Sequence, residues 1–476
     1  MSDDNYQFKT ISDLANEFRS RAVGPVELTE YLLNRIDALD GKLNAFRSVT
    51  RERALSEARA AEDAIRNSCD RGPLHGIPYV AKDLYDVRGE ATGAGFRLLN
   101  DAVVDEDCTV VKKLSEAGMV LLGKTHTVQF AFGAVGVNHD LGTPHNPWSP
   151  TPHAPGGSSS GSGVAVGSGL APMGLGSDTG GSVRIPATLC GIVGLKTTVG
   201  RISRAGVFPL SWTLDSVGPL TRSVEDAALT YQIMQGEDDG DPTTKDIGPD
   251  DVLTHLKDGA KGLRVVFGET LFFDDADSEV EAAVRQAGKV FESMGANVSS
   301  IETPEVAEAM LDEARALMIP AEACHFNRRL LDEHFDEMDP VVAERMIMGR
   351  DLSAWRYFGG LRRWAALRAS IQNTLSDIDV LLAPTSIIPS LPLETIDADF
   401  ETYMEYNSQF MRNAAVGNIL NLCAVTVPCG FSSSGMPIGL MVYAKPFHEA
   451  VALRAAWAYE QETRWKEHRP DLSWAE

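Results

Sequence analysis

The sequence predicts an α/β fold with a largely buried sheet, and two observations support that prediction. From Gly76 onward, short apolar runs such as IPYVAK and MVLLGKT are interrupted by glycine and proline, as strands bounded by turns are. These runs alternate with helical patterns such as Val110–Ala117, an alternation typical of α/β domains. With 476 residues, of which 43% are hydrophobic, the chain is long enough to bury a large core.

The first elements are predicted helices over residues 9–66. An amphipathic pattern begins at Ser12, and after Pro25 apolar residues recur at helical spacing: Leu28, Tyr31, Leu32, Ile36 and Leu39. The charged, alanine-rich stretch from Arg51 to Ile65 predicts a surface helix. Strands are then predicted for the apolar runs IPYVAK, MVLLGKT, GVAVGSG and GIVGLKTT.

A second series of elements follows an acidic stretch rich in turn residues. The sequence EDDGDPTTKDIGPDD, residues 237–251, is predicted as an exposed linker. Strands are predicted at 262–269, 379–386 and 422–430, and helices at 278–294, 305–364 and 449–462. The segment 305–364 is rich in methionine and arginine, and it fits a substrate-facing cap and a helical surface packed on the core equally well.

These elements suggest one large domain built from four segments. Residues 1–70 are predicted to form an N-terminal helical region that packs on the core, and residues 71–236 the core that carries the functional site. Residues 237–370 are predicted to be a variable helical cap, and residues 371–476 to complete the core.

Composition excludes several classes of function. The net charge of −24 and a pI of about 4.8 would repel nucleic acids and anionic membranes. The six cysteines contain no C-x-x-C pair, and Cys190, Cys423 and Cys429 lie in apolar runs that suggest buried thiols. The first residues lack the pattern of a signal peptide, and no apolar run approaches 18 residues. We therefore expect a cytoplasmic, soluble protein from a reducing compartment.

The segment from Gly156 to Lys196 is unusually dense in glycine and serine. Glycine weakens regular structure, so this density is expected where backbone N–H groups must approach another group closely. Thr179, Gly180 and Gly181 directly precede Ser182, and a turn of this kind can direct several amides at one oxyanion. A serine nucleophile with an oxyanion-binding backbone is the functional interpretation, and a flexible loop or tight turn is the structural alternative.

A serine nucleophile needs a base, and Lys82 is the candidate. It ends the apolar run IPYVAK, where burial would lower the pKa of its amine toward neutrality. The alternative is a lysine that extends its amine into solvent at the strand end. A relay from Ser182 through Ser158 to Lys82 would then move the proton. The G-x-S-x-G match around Ser159 lacks a preceding strand and is interpreted as a chance match.

The spacing of the histidines does not match a recognised metal site. His126, His139, His145 and His153 are irregularly spaced, and no acidic or cysteine ligands accompany them in a recognised pattern. We predict no metal and no cofactor.

Three motifs together resemble the amidase signature family of serine hydrolases. They are HGIPYVAKD around Lys82, PGGSSSGS around Ser158 and GSDTGGSVRIPA around Ser182, and further similar stretches such as CGIVGLKTTVGRIS and LLAPTS span most of the chain. The resemblance implies a central mixed, twisted β-sheet covered by helices on both faces, with a helical cap. It also implies amide hydrolysis without a cofactor.

The resemblance also implies residue roles. Ser182 would be the nucleophile, Lys82 the base, and Ser158 a bridging serine that follows a cis peptide bond. The amides of Thr179, Gly180, Gly181 and Ser182 would form the oxyanion hole, Asp178 and Arg184 would brace that loop, and Ala131, Phe132 and Gly133 would line the pocket.

Four positions depart from details of the family pattern. Ser160 stands where a glycine is usual, and Gln129 replaces a common glutamate, which removes a charge near the pocket. Asn418 matches a family asparagine, but Asn421 and Cys423 replace the glycine and proline that usually follow it, which leaves the local turn open.

The leading functional hypothesis is hydrolysis of a carboxamide, anilide, urea or carbamate (urethane), with a small-molecule amide as the only partner and a monomer or homodimer as the assembly. One alternative is the glutaminase subunit of a tRNA-dependent amidotransferase. A stretch similar to SNLARYDG marks those subunits, and this chain has YNSQFMRNAAVGN there, while its net charge does not suit tRNA. Another alternative, an inactive binding module, would predict loss of a serine or the lysine, and all three are present.

Overall fold

The computed structural model describes residues 6–311 and 315–476, so parts of the predicted segments 1–70 and 237–370 lie outside the described residues. Its strands are β1 Phe46–Val49, β2 Pro78–Lys82, β3 Val120–Thr125, β4 Met173–Asp178, β5 Val193–Lys196, β6 Ser216–Thr221, β7 Arg264–Gly268, β8 Asn297–Ile301, β9 Val380–Pro384, β10 Cys423–Phe431 and β11 Pro437–Ala444. They form one sheet in the order β1-β3-β2-β4-β6-β5-β10-β11-β9-β7-β8. Pairs around β2 and β7 are parallel and the others antiparallel, so the sheet is mixed, as expected.

The helices follow the same chain order. They are α1 Ile11–Ser20, α2 Pro25–Leu43, α3 Arg51–Arg66, α4 Thr109–Glu116, α5 Ser160–Gly167, α6 Arg184–Leu189, α7 Val224–Met234, α8 Ser278–Ser293, α9 Pro304–Leu311, α10 Arg315–Phe326, α11 Arg328–His334, α12 Pro340–Ile347, α13 Ala354–Thr374, α14 Leu393–Ile396, α15 Phe400–Ile419 and α16 Glu449–Thr463. In the described part of the chain, no helix is long and apolar enough to cross a membrane.

Helices cover both faces of the sheet, which confirms the predicted layers. Side chains alternate between the two faces along a strand, and β11 shows this directly. Leu440 and Val442 belong to one buried cluster with Leu453 of α16. Met441 and Tyr443 belong to a second buried cluster, on the other face.

Two predicted elements are wrong in type. The run GVAVGSG forms part of helix α5 instead of a strand, because its small residues let the helix lie against neighbouring backbone. A Cβ at Gly161 would come within 2.4 Å of Ala45 O and His126 N. Residues 9–66 were predicted as helices throughout, but Phe46–Val49 form the short edge strand β1.

The region 237–370 is less uniform than predicted. Strands β7 and β8 join the central sheet, so the helical part of the predicted cap starts at α9. The stretch 237–251 is mostly exposed, as predicted, but it is attached to the core, because buried Asp241 forms an ion pair with Arg204 at 3.2 Å. Cys190, Cys423 and Cys429 are buried free thiols, as predicted.

Candidate active site

The loop between β4 and α6 carries Ser182, and its shape requires glycine at position 181. Gly181 has φ +124°, a conformation that L side chains rarely adopt. A Cβ there would also lie 2.6 Å from Ala414 Cβ and from Ile185 Cδ1. The glycine therefore permits both the turn and the close approach of neighbouring side chains.

A fully buried ion pair braces this loop. Arg184 donates to the two carboxylate oxygens of Asp178, from Nη2 at 2.9 Å and from Nε at 3.0 Å. Asn418 adds a bond from Nδ2 to Asp178 Oδ1 at 2.8 Å. Burial by itself would raise the pKa of Asp178, but the charge and hydrogen bonds of Arg184 hold it well below its ordinary value.

Removing the cation of this pair should destabilise the fold strongly. We expect Arg184→Met to lower the free energy of unfolding by about 3–5 kcal/mol, because Asp178 would remain buried as an unpaired charge. Urea denaturation of the purified variant measures this loss. The control is Arg329→Met, which removes an exposed arginine from a surface ion pair with Glu333 and should change stability little. Equal losses in the two variants would contradict the prediction.

One predicted oxyanion donor needs correction. The amide of Gly181 donates to Asp178 Oδ1 at 2.9 Å, so it is already engaged in the loop brace. A single N–H directed at a carboxylate cannot serve a second acceptor well. Thr179, Gly180 and Ser182 line a small cavity of about 30 Å³, whereas Gly181 does not.

Lys82 is the last residue of β2 and is fully buried. Its Nζ donates to Ser158 Oγ at 2.8 Å and to Ser177 Oγ at 2.9 Å. Burial lowers the pKa of Lys82 to about 7, while the negative charges of Asp215 and Asp178 act in the opposite direction. Near neutral pH, both protonation states of the amine are therefore populated.

Hydrogen bonds to its main-chain carbonyl oxygen fix the position of Ser158. The peptide bond between Gly157 and Ser158 is cis. The carbonyl oxygen of Ser158 accepts from Thr127 Oγ1 at 3.0 Å and from Val128 N at 3.2 Å. A Cβ on Gly157 would lie 2.6 Å from Gly133 O, so this glycine allows the two loops to touch.

Ser182 lies where these loops meet. Its carbonyl oxygen accepts from Ser159 N at 3.2 Å, and its side chain lines the 30 Å³ cavity. Among the described residues, no hydrogen bond involves Ser182 Oγ. The structure thus joins Lys82 directly to Ser158 and brings Ser182 beside Ser159, without a direct bond between the Ser158 and Ser182 hydroxyl groups.

The segment Ala131–Gly133 forms the opposite wall of the same cavity. Ala131 and the preceding Phe130 both have positive φ, at +60° and +51°, a strain that is commonest near functional sites. Arg345 Nη1 donates to Phe132 O at 2.6 Å. The conformation of this wall is therefore fixed by contacts with the cap.

Besides Lys82 and Arg184, the site contains another buried basic side chain, that of Arg345. It lies 4.0 Å from the centre of the Phe132 ring and is almost fully buried. Burial lowers its pKa, and within the described residues it has no acidic side chain at ion-pair distance. Arg345 lines the small cavity and a larger adjoining one of about 190 Å³.

Two polar residues of the site were not predicted from the sequence. Ser177 is the second partner of Lys82, and its position at the polar end of β4, directly before Asp178, is the only available signal. Half-buried Asp215 accepts from Thr179 Oγ1 at 2.5 Å and from the amides of Leu210 and Ser211 at 2.9 Å. It fixes the side chain of Thr179 from outside the loop.

The structure shows the surroundings of three of the four residues that depart from the family pattern. Gln129 is buried, and its Oε1 accepts from Asp339 N at 2.9 Å. Ser160 begins α5, and its buried Oγ lacks a hydrogen-bond partner in the described residues. Asn421 has φ +57°, a conformation that asparagine tolerates, and its Oδ1 accepts from Val199 N at 3.1 Å.

The four histidines do not converge on one point. His139 lies between the carboxylates of Asp339 and Asp397, at 2.9 Å from each, and the ring of His145 packs at a tilt against the ring of Trp474, with the centroids 4.3 Å apart. In residues 6–311 and 315–476, no group of three His, Cys, Asp or Glu side chains could hold a metal ion.

The chain is similar to several known proteins. A family model described as "Amidase" matches residues 27–453. The chain is 36% identical to a 2-amino-5-chloromuconic acid deaminase from Comamonas testosteroni, over 95% of each chain. It is 34% identical to a glutamyl-tRNA(Gln) amidotransferase subunit from a Geobacter species, over 96% of this chain and 97% of that one. The solved peptide amidase of Stenotrophomonas maltophilia superposes with a TM-score of 0.84 at 28% identity, over 98% and 99% of the two chains.

The chain therefore belongs to the amidase family, which confirms the resemblance and the fold class. It is an amidohydrolase that acts on carbon–nitrogen bonds.

Proposed function

We propose that this enzyme hydrolyses the C–N bond of a small amide through an ester formed on Ser182. The observation that carries this proposal is the buried amine of Lys82, 2.8 Å from Ser158 Oγ and with a pKa of about 7. A base is most effective when its pKa lies near the working pH. Burial supplies that pKa here, and Ser158 supplies a path for the proton.

The first half of the reaction forms the ester. Neutral Lys82 takes the proton of Ser158, and Ser158 takes the proton of Ser182, whose Oγ bonds to the carbonyl carbon. The carbonyl oxygen becomes an oxyanion, which accepts hydrogen bonds from main-chain amides of Thr179, Gly180 and Ser182. Asp178, Arg184 and Asp215 act as positioning residues because they hold this loop.

The second half releases both products. The C–N bond breaks, and the proton held by Lys82 returns through Ser158 to the leaving nitrogen, so that a neutral amine departs. Water then attacks the ester carbon with Lys82 and Ser158 again acting as base, and the carboxylic acid leaves Ser182. No metal or redox step is needed to balance these two halves.

A substrate panel tests this proposal. It contains a benzamide, an acyl anilide, an aryl carbamate and glutamine, with Ser182→Ala as the control variant. We expect release of ammonia or amine from at least one of the first three by the wild-type enzyme, and none by the variant. Equal turnover by both proteins would overturn the role of Ser182, and turnover of glutamine alone would favour the second candidate function below.

The second candidate is the glutaminase subunit of a tRNA-dependent amidotransferase, and one observation favours it. Arg345 presents a buried cation without an acidic partner in the described residues, in the cavity next to Ser182, which suits a substrate carboxylate such as that of glutamine. Against it stand the net charge and the YNSQFMRNAAVGN stretch. The panel can be extended by two amides with the same acyl chain, one ending in a carboxylate and one in its methyl ester. Faster hydrolysis of the carboxylate would show that Arg345 selects substrates by charge.

A further inference from the structure

Three cavities adjoin around Ser182. The central slot of about 30 Å³ contains Ser182 itself. On one side, it shares Phe132, Thr179 and Arg345 with the cavity of about 190 Å³, which we call the Arg345 chamber. On the other side, it shares Ala131 and Leu210 with a cavity of about 240 Å³, which we call the Ser177 chamber. An amide whose carbonyl carbon lies in the slot thus has one substituent directed into each chamber.

The proton path decides which substituent enters which chamber. In the proposed function, on which this inference rests, the leaving nitrogen must receive its proton from Lys82 through Ser158. Lys82 is bonded at 2.9 Å to Ser177, which lines the Ser177 chamber, and Asp215 lines the same chamber. Because Ser177, the second partner of the Lys82 amine, lines this chamber and not the Arg345 chamber, the nitrogen is assigned to the Ser177 chamber and the acyl group to the Arg345 chamber.

The Ser177 chamber has the size and lining for an aromatic ring. Phe208, Trp212 and Phe326 contribute aromatic walls, and Leu84 adds an aliphatic one. An apolar cavity of about 150 Å³ is sufficient to hold benzene, and this chamber exceeds that volume. Arg204 fixes the segment that carries Trp212, since its guanidinium lies 4.8 Å from the indole and donates to Trp212 O at 2.7 Å.

The chamber also has its own route to solvent. Trp212 and Phe326 line both the Ser177 chamber and an outer hollow of about 530 Å³, which Glu322 and Tyr357 also line. Both side chains are partly exposed. An amine in this chamber can leave past them while the acyl group still occupies Ser182, which is the order of release that an acyl-enzyme requires.

We propose that the Ser177 chamber is the leaving-amine subsite and that it favours an aromatic amine, so that N-aryl amides are preferred over primary amides with the same acyl group. The reaction is hydrolysis through the ester on Ser182. The carbon–nitrogen bond breaks, the aromatic amine receives the returning proton, and water later takes the acyl group.

The test uses two substrates with a common acyl group, butyranilide and butyramide, and reads the ratio of their kcat/KM values. Trp212→Ala should lower this anilide-to-amide ratio about 5- to 30-fold, because it removes an aromatic contact from the amine alone. The matched variant Met348→Ala changes an equally exposed residue of the Arg345 chamber, 54% exposed against 53% for Trp212, and should leave the ratio unchanged. Trp355 is an exposed residue of α13 that lines none of the three cavities, so Trp355→Ala should leave the hydrolysis rates of both substrates unchanged.

A second readout guards against misfolding of the Trp212 variant. Aniline should inhibit butyramide hydrolysis by the wild-type enzyme, and its inhibition constant should rise in Trp212→Ala. An unchanged ratio together with an unchanged inhibition constant would overturn the inference. A fall of the ratio in Met348→Ala instead of Trp212→Ala would place the amine in the Arg345 chamber, which also overturns it. If the wild-type enzyme hydrolyses neither substrate nor any other amide of the panel, the proposed function itself has failed.

Discussion

Replacing Ser182 with alanine is expected to lower kcat/KM for the best amide of the panel by about 10⁴- to 10⁶-fold, as loss of a nucleophile does in other serine hydrolases. Among the described residues that line the central slot, Thr179 has the only other hydroxyl, and it donates to Asp215 at 2.5 Å, so we expect no ester to form in its place. Steady-state kinetics measures the loss. Mass spectrometry of acid-quenched wild-type enzyme should show the added mass of the acyl group, and the variant should not.

This loss should come without loss of the fold. Ser182 Oγ makes no hydrogen bond within the described residues, so its removal should leave the unfolding midpoint in urea nearly unchanged. The control variant is Ser168→Ala, which removes a buried hydroxyl at the end of α5 that bonds only to its own helix. That variant should keep its activity. Activity in Ser182→Ala within a hundredfold of wild type would contradict the proposed nucleophile.

Lys82→Met is expected to lower kcat/KM by about 10²- to 10⁴-fold, the usual contribution of a general base. Methionine keeps a similar volume in the buried position but cannot accept a proton. The wild-type pH profile supplies a second measurement. Because the base must be neutral, kcat/KM should rise about tenfold per pH unit below about pH 7 and level off above it, where the depressed pKa of Lys82 leaves the amine deprotonated.

The pH profile also distinguishes Lys82 from other groups. In Lys82→Met the inflection near pH 7 should disappear from the residual activity. Lys82→Arg should not restore the rate, because a guanidinium stays protonated. An inflection at the same pH in the methionine variant would assign the titration to another residue and remove Lys82 as the base.

Local pattern was sufficient for elements whose burial is periodic. Helix α2 was predicted because Leu28, Leu32 and Ile36 recur at helical spacing, and all three are buried. Strand β2 was predicted from a short apolar run, and all five of its residues are buried. Helix α5 was misread as a strand because it is buried on all sides, and an apolar run without periodicity fits either element.

In the site, too, residues within one motif were predicted, and the contacts of Ser177 and Asp215 with distant segments were not. Ser182, its glycine-rich loop and the Asp178–Arg184 pair lie within a few residues of one another, so their motif could be read along the chain. Ser177 and Asp215 were missed because their partners, Lys82 and Thr179, come from other segments of the chain. The amide of Gly181 was assigned to the wrong acceptor because a motif does not show where an N–H points.

The sequence by itself determined the fold class, the family and the identity of the candidate nucleophile and base, because periodic burial and short motifs are local properties of the chain. The sequence predicted the direction of the pKa shift of Lys82, but only the tertiary structure decided its Ser177 partner and the two cavities that adjoin the slot at Ser182. These depend on desolvation and on contacts between segments far apart in sequence, such as Lys82 with Ser158 and Arg345 with Phe132. Such contacts exist only once the sheet and the cap have come together.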